Sequence, residues 1–209
     1  ISKKRNANKQ KRNERVEKSF QDIYDFFAEN FEAEDKLILF TSSSDSIDQS
    51  YIIVRLARKF VKEGKKVLLL DANLKNSSIS EVSKVEFSRG LSDILAKDMP
   101  YENIITKDLY EENLAMILAG ESLENSATYL SLSTFNNLLQ SLKASYDFIF
   151  INSPSGDYPE DFEVICQSVD KVFVLTNKTD KRKKKLQNII NNLESHKADI
   201  AGIIMTDAK

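Results

Sequence analysis

Six apolar runs recur along this chain, and most of them are continuous rather than alternating. They lie at 37–41, 67–71, 113–119, 147–152, 171–177 and 200–205. A strand that is apolar at every position is covered on both faces, as in a parallel sheet whose crossover connections are helices. Intervening segments have helical patterns, at 51–63, 131–145 and 181–195. The pattern predicts an α/β fold, a doubly wound and mostly parallel sheet flanked by helices, with ligands at the carboxyl ends of the strands.

A polar stretch precedes the first apolar run and leads into a predicted helix at 16–29. This helix carries one apolar face at helical spacing. The face consists of Val16, Phe20, Ile23, Tyr24 and Phe27. Residues 19–209 suit a single domain, because a chain of 209 residues is long enough to bury one core. No apolar run approaches the roughly 20 residues that a membrane-spanning helix needs.

The net charge of −2 is unevenly distributed along the chain. Residues 1–18 hold eight Lys or Arg and two Glu, which gives +6 and leaves −8 for the remainder. Such a polar, basic segment is predicted to be a disordered arm. It is either a solvated tail or a juxtamembrane linker whose residues 3–18 bind an anionic membrane surface. A nucleic-acid partner is not expected, because the body is acidic and contains no recognition motif.

The chain contains one cysteine, Cys166, and one histidine, His196. They exclude an internal disulfide and cannot form a zinc site between them. Cys166 lies in the apolar pattern of residues 162–169 and is predicted to be a buried small hydrophobe. His196 lies in a polar helix end and is predicted to be a solvated surface side chain.

Polar segments follow three of the predicted strands and carry the most specific sequence signal. They read TSSSDSIDQSY at 41–51, DANLKNSS at 71–78 and NSPSG at 152–156. Taken in order, with GLSDILAKD between them, they resemble the cytoplasmic domain of the bacterial tyrosine kinases (BY-kinases) of capsular and exopolysaccharide synthesis. That family is related to the MinD/ParA group of deviant Walker ATPases. The resemblance covers about residues 17–207 and implies a P-loop NTPase-like fold, ATP with Mg²⁺ as ligands, and tyrosine autokinase activity.

The first of these segments departs from the family's phosphate loop, which resembles TSSxPGEGKST. Thr41, Ser42 and Ser50 match it. The departures are Asp45 for the proline, Ser46 and Asp48 for the two glycines, Gln49 for the lysine and Tyr51 for the last threonine. Glycines let backbone N–H groups surround the phosphates and the lysine neutralises them. The loop is therefore interpreted as the remnant of a nucleotide site.

The other two motifs have each lost a charged group. Against the family's LLIDxDxRxP, Asp71 is retained, Asn73 replaces the second acidic residue and Lys75 replaces the arginine. Against IIDTPP, Asn152 replaces the aspartate that would organise the Mg²⁺ shell, and a neutral amide is a weaker ligand for a hard cation. Asp71 is thus read as a vestigial catalytic residue, and Asn73 and Asn152 as degenerate cofactor-binding positions.

Three further features bear on assembly and on other chemistry. The family's Glu-x-x-Arg-x-x-Arg pattern, which joins subunits into a ring, reads Lys18, Gln21 and Tyr24 here. Asp45, Asp48 and Asp71 could converge on a divalent cation, although solvated or helix-capping carboxylates are the favoured reading. A basic cluster at 178–185 opens a predicted helix and is either a solvated face or a contact for an acidic partner.

The sequence favours a pseudo-enzyme: a BY-kinase-like domain without ATP or other cofactor, serving as an interaction or regulatory module in capsular or exopolysaccharide synthesis and export. Its expected partner is a membrane polysaccharide co-polymerase or its own upstream membrane segment, at the cytoplasmic face of the plasma membrane. The alternatives are an atypical ATP-binding tyrosine kinase or ATPase of the same family, and a MinD/ParA-like positioning protein.

Overall fold

A computed structural model describes residues 2–177 and 183–206 of the chain. The helices are α1 Ser2–Asn30, α2 Gln49–Lys62, α3 Ile79–Ser83, α4 Leu91–Lys97, α5 Ser126–Leu130, α6 Ser133–Lys143, α7 Pro159–Cys166 and α8 Lys183–Ser195, with a 3₁₀ turn at Tyr101–Asn103. The strands are β1 Leu37–Ser42, β2 Val67–Asp71, β3 Thr106–Lys107, β4 Leu114–Ile117, β5 Phe148–Asn152, β6 Lys171–Asn177 and β7 Ile200–Thr206.

The strands form one seven-stranded sheet in the order β3-β4-β2-β5-β1-β6-β7. Every neighbouring pair is parallel except β3 with β4. The three central strands therefore end side by side: Asn152 lies opposite Asp71 on one side and opposite Phe40 on the other. This register brings the polar segments after β1, β2 and β5 to one edge of the sheet. The predicted doubly wound α/β fold of P-loop NTPase type is confirmed.

Helices cover both faces of the sheet, as continuous apolar strands require. Along β1, Leu37 and Leu39 face one core with α4 to α8, while Ile38 and Phe40 face a second core with α1 to α3. Within the second core the ring of Phe27 stacks on Phe173 at 5.1 Å between centroids. The apolar face predicted for the first helix is thus what attaches α1 to the domain.

The first helix extends further than the sequence predicted, because it begins at Ser2 instead of near residue 16. The arm expected to be disordered is the leading half of this helix, and residues 10–15 are exposed. Lys, Arg, Gln and Glu are good helix formers, and a helix propagates readily once its packed part has nucleated. The expectation of an arm without secondary structure was wrong for residues 2–18.

Several smaller predictions can be compared with the structure. β3 was not predicted, since two residues leave no periodic signal, and β4 is shorter than the apolar run at 113–119.

Cys166 is buried as expected, and burial raises the pKa of its thiol to about 11. His196 is half-buried at the end of α8, with Nδ1 3.0 Å from the carbonyl oxygen of Asn192. Within the basic cluster at 178–185, residues 178–182 lie outside the described residues.

No helix among the described residues is both long enough and apolar enough to cross a membrane.

Candidate functional site

The segment between β1 and α2 occupies the position of a phosphate loop but has a different backbone. None of residues 41–51, all of which are described, has a positive φ angle. Glycine is needed where φ is positive, so this loop conformation does not require the glycines that its relatives use. Asp48 caps α2, its side chain accepting a hydrogen bond from the N–H of Tyr51 at 3.3 Å. A carboxylate of the chain itself thus lies at the helix N-terminus, where a phosphate loop would hold an anion.

Several backbone N–H groups of the loop donate to acceptors of the protein itself. Ser43 donates to the carbonyl oxygen of Leu175 at 2.8 Å, and Asp45 to a carboxylate oxygen of Asp157 at 3.4 Å. The remaining two donate within the loop: Ile47 to Ser44 at 3.2 Å, and Gln49 to Ile47 at 2.8 Å. In a phosphate loop such donors converge on the ligand. Here at least four of them are already used.

The side chain of Gln49, at the position of the family's lysine, turns into the sheet. Its Nε2 lies 3.0 Å from the carbonyl oxygen of Phe40, 2.8 Å from that of Ser153 and 2.7 Å from Oδ1 of Asn152. Gln49 is only 7% exposed. The amide therefore ties the start of α2 to the ends of β1 and β5 and does not extend toward a ligand.

Asn152 continues this network to Asp71. Its Nδ2 donates to Oδ1 of Asp71 at 2.9 Å, the backbone N–H of Asn73 donates to the same oxygen at 3.2 Å, and the Ser77 hydroxyl donates to Oδ2. Asp71 is completely buried, and this burial raises its pKa from 3.8 to about 6, while the three hydrogen bonds act in the opposite direction. The retained aspartate is thus held by neutral donors, without a cationic partner among the contacts it makes.

A cavity of about 300 Å³ lies between the loop, the segment after β2 and the end of β5. It is lined by Ser42, Asp45, Ser46, Ile47, Asp48, Gln49, Ser50, Asn73, Asn76, Ser78, Asn152, Ser153 and Ser155. All of these except Ile47 have polar side chains. Among the described residues, the lining contains two carboxylates and no Lys or Arg, so the formal charge of this part is negative. Lys75, at the position of the family's arginine, is not in the lining and pairs with buried Asp161 at 3.3 Å.

The structure brings most of the residues singled out in the sequence to this cavity. Eight of them line it: Ser42, Asp45, Ser46, Asp48, Gln49, Ser50, Asn73 and Asn152. Thr41 lies behind it, its hydroxyl donating to the carbonyl oxygen of Pro154 at 2.9 Å. Tyr51 points away instead and packs against Arg55, whose guanidinium also lies over the ring of Phe20, 4.8 Å from its centroid. The loop is thereby linked to α1.

Two of the three ring-forming positions of the family have partners within this chain. Gln21 donates to Asp25 at 2.7 Å, and the ring of Tyr24 packs edge-on against Phe60 with centroids 4.8 Å apart. Lys18 is exposed.

The three aspartates considered for a divalent cation have separate partners. Asp45 accepts from the Ser155 hydroxyl at 2.5 Å, Asp48 caps α2, and Asp71 is buried in its own network. Among the described residues, no group of three or more His, Cys, Asp or Glu side chains is placed to hold a metal ion.

The sequence did not single out three hydroxyl residues that hydrogen-bond to residues of the candidate site, two of which, Ser78 and Ser155, line the cavity. Ser77 bonds to Asp71, Ser78 donates to Ser50 at 2.7 Å, and Ser155 bonds to Asp45. The available signal was the run of small polar residues directly after β2 and β5, since strand ends of a parallel sheet converge.

Comparisons with known proteins show the family and the fold of the chain. The AAA_31 family model, described as an AAA domain, matches residues 36–199. The tyrosine-protein kinase ptk of Acinetobacter johnsonii is 25% identical over 175 residues, which cover 84% of this chain and 24% of that protein. The tyrosine-protein kinase CpsD of Streptococcus pneumoniae is 25% identical over 170 residues, covering 81% of this chain and 74% of that protein.

Among solved structures, the kinase domain of VpsO superposes with a TM-score of 0.84 at 20% identity, covering 96% of this chain and 98% of that one. Such a likeness shows a shared fold. The chain spans only about a quarter of the Acinetobacter johnsonii kinase, so it corresponds to one part of that protein. The resemblance to bacterial tyrosine kinases found in the motifs is confirmed by these relatives. Bacterial tyrosine kinases are among the relatives of this chain, and the chain belongs to the AAA_31 family of AAA domains.

Proposed function

We propose that this chain is a pseudo-enzyme of the BY-kinase type, which neither binds ATP nor transfers phosphate and acts as an interaction or regulatory module in capsular or exopolysaccharide synthesis and export. The observation that carries the proposal is the charge of the cavity. The part of the lining that the structure describes includes Asp45 and Asp48 and no Lys or Arg, at the place where a relative would hold a triphosphate.

The electrostatic cost of this arrangement is large. A single lysine about 5 Å from a phosphate charge contributes roughly 3 kcal/mol at an effective dielectric constant of 20. Losing it weakens binding by about two orders of magnitude, since about 1.4 kcal/mol corresponds to a factor of ten. Asp45 and Asp48 add repulsion to that loss.

The positions that would organise Mg²⁺ do not fit the ion either. Asn152 offers a neutral amide, and both ends of that amide are engaged, Oδ1 with Gln49 and Nδ2 with Asp71. Asp71 is enclosed by donors and completely buried. Hard divalent cations prefer accessible, charged oxygen ligands. We therefore expect neither ATP nor Mg²⁺ as a cofactor.

A second candidate is an atypical ATP-binding tyrosine kinase or ATPase. It is supported by the retained Asp71, by Ser50 in the cavity lining, and by the names of the curated relatives. Its nucleotide would have to be held by hydroxyl and backbone groups without a lysine.

Isothermal titration calorimetry with ATP or ADP and Mg²⁺ separates the two candidates. The pseudo-enzyme should give no binding tighter than about 100 μM, which corresponds to roughly 5.5 kcal/mol. A matched variant restores the family loop through Ser46→Gly, Asp48→Gly and Gln49→Lys. Nucleotide binding by this variant and not by the native chain would trace the loss to the loop, whereas tight binding by the native chain would refute the proposal.

The proposed place of action is the inner face of the plasma membrane. The partner is a membrane polysaccharide co-polymerase or an upstream membrane segment of the same protein. Support comes from residues 1–18, whose net charge of +6 suits an anionic surface, and from the exposure of residues 10–15 on α1.

A further inference from the structure

We infer that two copies of this chain associate through the outer edge of β7, in an antiparallel pairing that joins their sheets. This surface lies apart from the cavity, and the inference holds whether or not the chain binds nucleotide. Among the described strands, β7 is the last of the sheet and pairs with β6 alone. The backbone groups on its other side therefore face outward, where they can pair with another strand.

The sequence of β7 lacks the residues by which proteins usually protect an edge strand. It reads IAGIIMT, with no charged residue and no proline. Its one irregularity lies near its start, since the register with β6 shifts between Val172 and Phe173. Residues 202–206 then continue in regular register. Charged residues, proline and bulges prevent edge-to-edge pairing, so a five-residue stretch without them is open to it.

Two large apolar side chains of β7 are exposed on one face of the sheet. Ile203 is 45% exposed and Met205 is 58% exposed. Ile203 lies opposite Val174, which belongs to the core that α8 covers. Side chains alternate along a strand, so Met205 lies on this same face. Covering both side chains would remove apolar surface from water, which is the main driving force of protein association.

The strand is complementary to itself when it pairs about Ile204. Two identical antiparallel strands are related by a two-fold axis perpendicular to the sheet, and directly opposite residues have their side chains on the same face. An axis through Ile204 puts Ile203 of each copy opposite Met205 of the other. A single pairing thus brings all four exposed side chains into contact.

The same axis passes close to the middle of α8. The backbone N–H of Gly156 donates to the carbonyl oxygen of Ser42 at 2.8 Å. Ser42 lies level with Leu175 in the sheet, and Leu175 lies level with Ile204. Gly156 also packs so tightly against the side chain of Ile189 that a Cβ would not fit. Ile189, the central residue of α8, therefore lies level with the axis, and the two copies of α8 run antiparallel on one face of the joined sheet.

An independent observation is the distribution of charge along α8. The helix begins with three lysines, has no basic residue in its last turn, and carries exposed Glu194 there. Cations at the start of a helix oppose its macrodipole, so this order of charges is unfavourable within one copy. Exposed Lys184 and Glu194 lie five residues on either side of Ile189. In the antiparallel pair, the basic start of each helix therefore lies toward the acidic end of the other.

The test is sedimentation velocity of the full chain without nucleotide, at concentrations of about 1–200 μM. A short paired edge and two helix ends form a small interface, so we expect a monomer–dimer equilibrium with a dissociation constant of about 10–100 μM. A chain that stays monomeric at the highest concentration would refute the inference. Association that continues beyond a dimer would also refute it, because the two-fold pairing uses the edge of β7 completely.

Lysines on the exposed face of β7 should prevent the pairing. Ile203→Lys with Met205→Lys brings four cations together around the axis, so the dissociation constant should rise about tenfold or more. The matched control, Leu109→Lys with Leu132→Lys, also replaces two exposed apolar residues and adds the same charge. Leu109 follows β3 at the opposite edge of the sheet, and Leu132 precedes α6. The control should dimerise like the native chain, and equal weakening in both double variants would overturn the inference.

A charge exchange tests the antiparallel arrangement of α8 without changing the strand. Lys184→Glu alone and Glu194→Lys alone each place like charges near one another in the dimer, so each should weaken it about three- to tenfold. Both changes improve the match of α8 to its own macrodipole, so a weaker dimer would not result from a less stable helix. The combined variant restores opposite charges and should recover the native dissociation constant. A combined variant that stays as weak as the single ones would overturn the inference.

Discussion

Replacing Asp71 with asparagine should change how the stability of the domain depends on pH. The carboxyl group is completely buried, and burial raises its pKa from 3.8 to about 6 in the folded chain. Between these values the folded state keeps a proton that the unfolded state has lost. Raising the pH through this interval therefore favours unfolding.

The size of the effect follows from the shift. About two pKa units at roughly 1.4 kcal/mol each give about 3 kcal/mol of stability, present below pH 3.8 and lost by the time the pH exceeds 6. Asparagine has the same shape and cannot ionise. Its oxygen can still accept from the N–H of Asn73, and its amide nitrogen can donate to the Ser77 hydroxyl. We expect Asp71→Asn to match the native chain near pH 4 and to be about 3 kcal/mol more stable near pH 7.5.

The assay is urea unfolding followed by circular dichroism at steps between these pH values. The quantity of interest is the difference in free energy of unfolding between variant and native chain, because pH effects of other groups cancel in it. A second variant, Ser77→Ala, removes a hydrogen bond that lowers the pKa of Asp71, so the midpoint of the pH dependence should move upward. A difference that stays constant with pH would refute the reasoning. So would an asparagine variant that is less stable near pH 7.5, since the ionised carboxylate would then be stabilising.

Two other predictions test the hydrogen bonds of the Gln49 side chain and the basic half of α1. Gln49→Met leaves the carbonyl oxygen of Ser153 and Oδ1 of Asn152 without this donor. The free energy of unfolding, measured by urea titration, should therefore fall by about 1–3 kcal/mol. An unchanged urea midpoint would mean that the amide does not stabilise the strand ends. The native chain should co-sediment with phosphatidylglycerol vesicles and not with phosphatidylcholine vesicles. Replacing the three basic residues within 11–15 by glutamine should weaken that binding about 100-fold, at about 1 kcal/mol for each charge, and binding that survives about 0.5 M salt would contradict an electrostatic origin.

Much of the fold could be predicted from the sequence because its strands are apolar at every position. The strands ending at Asp71, Asn152 and Asn177 agree with the predicted runs to within a residue at each end. β3 escaped prediction because a two-residue antiparallel strand depends on its neighbour β4 for its existence. The extent of α1 was missed because composition alone does not determine whether a polar segment continues a packed helix.

The candidate site was predictable in its location and unpredictable in its internal contacts. Carboxyl ends of adjacent parallel strands must meet, so the convergence of the segments after β1, β2 and β5 followed from their order. The direction of the Gln49 side chain could not be predicted, because it depends on where the carbonyl oxygen of Ser153 lies in three dimensions. The same holds for Tyr51, which the loop pattern assigned to the site and which contacts Arg55 instead.

The hydrogen bonds of Gln49 have a consequence for the evolutionary history of this domain. A lysine at position 49 would meet the same three oxygens, those of Phe40, Ser153 and Asn152. They would hold its ammonium group against the ends of β1 and β5, away from a ligand. Under the proposed function, this single substitution would then bring no nucleotide affinity for selection to act on. Recovery would need changes at the glycine positions together with the lysine, as in the triple variant described above. If the proposed function is correct, descendants of this chain would keep functions that do without ATP, because no single substitution at position 49 would return them to nucleotide binding.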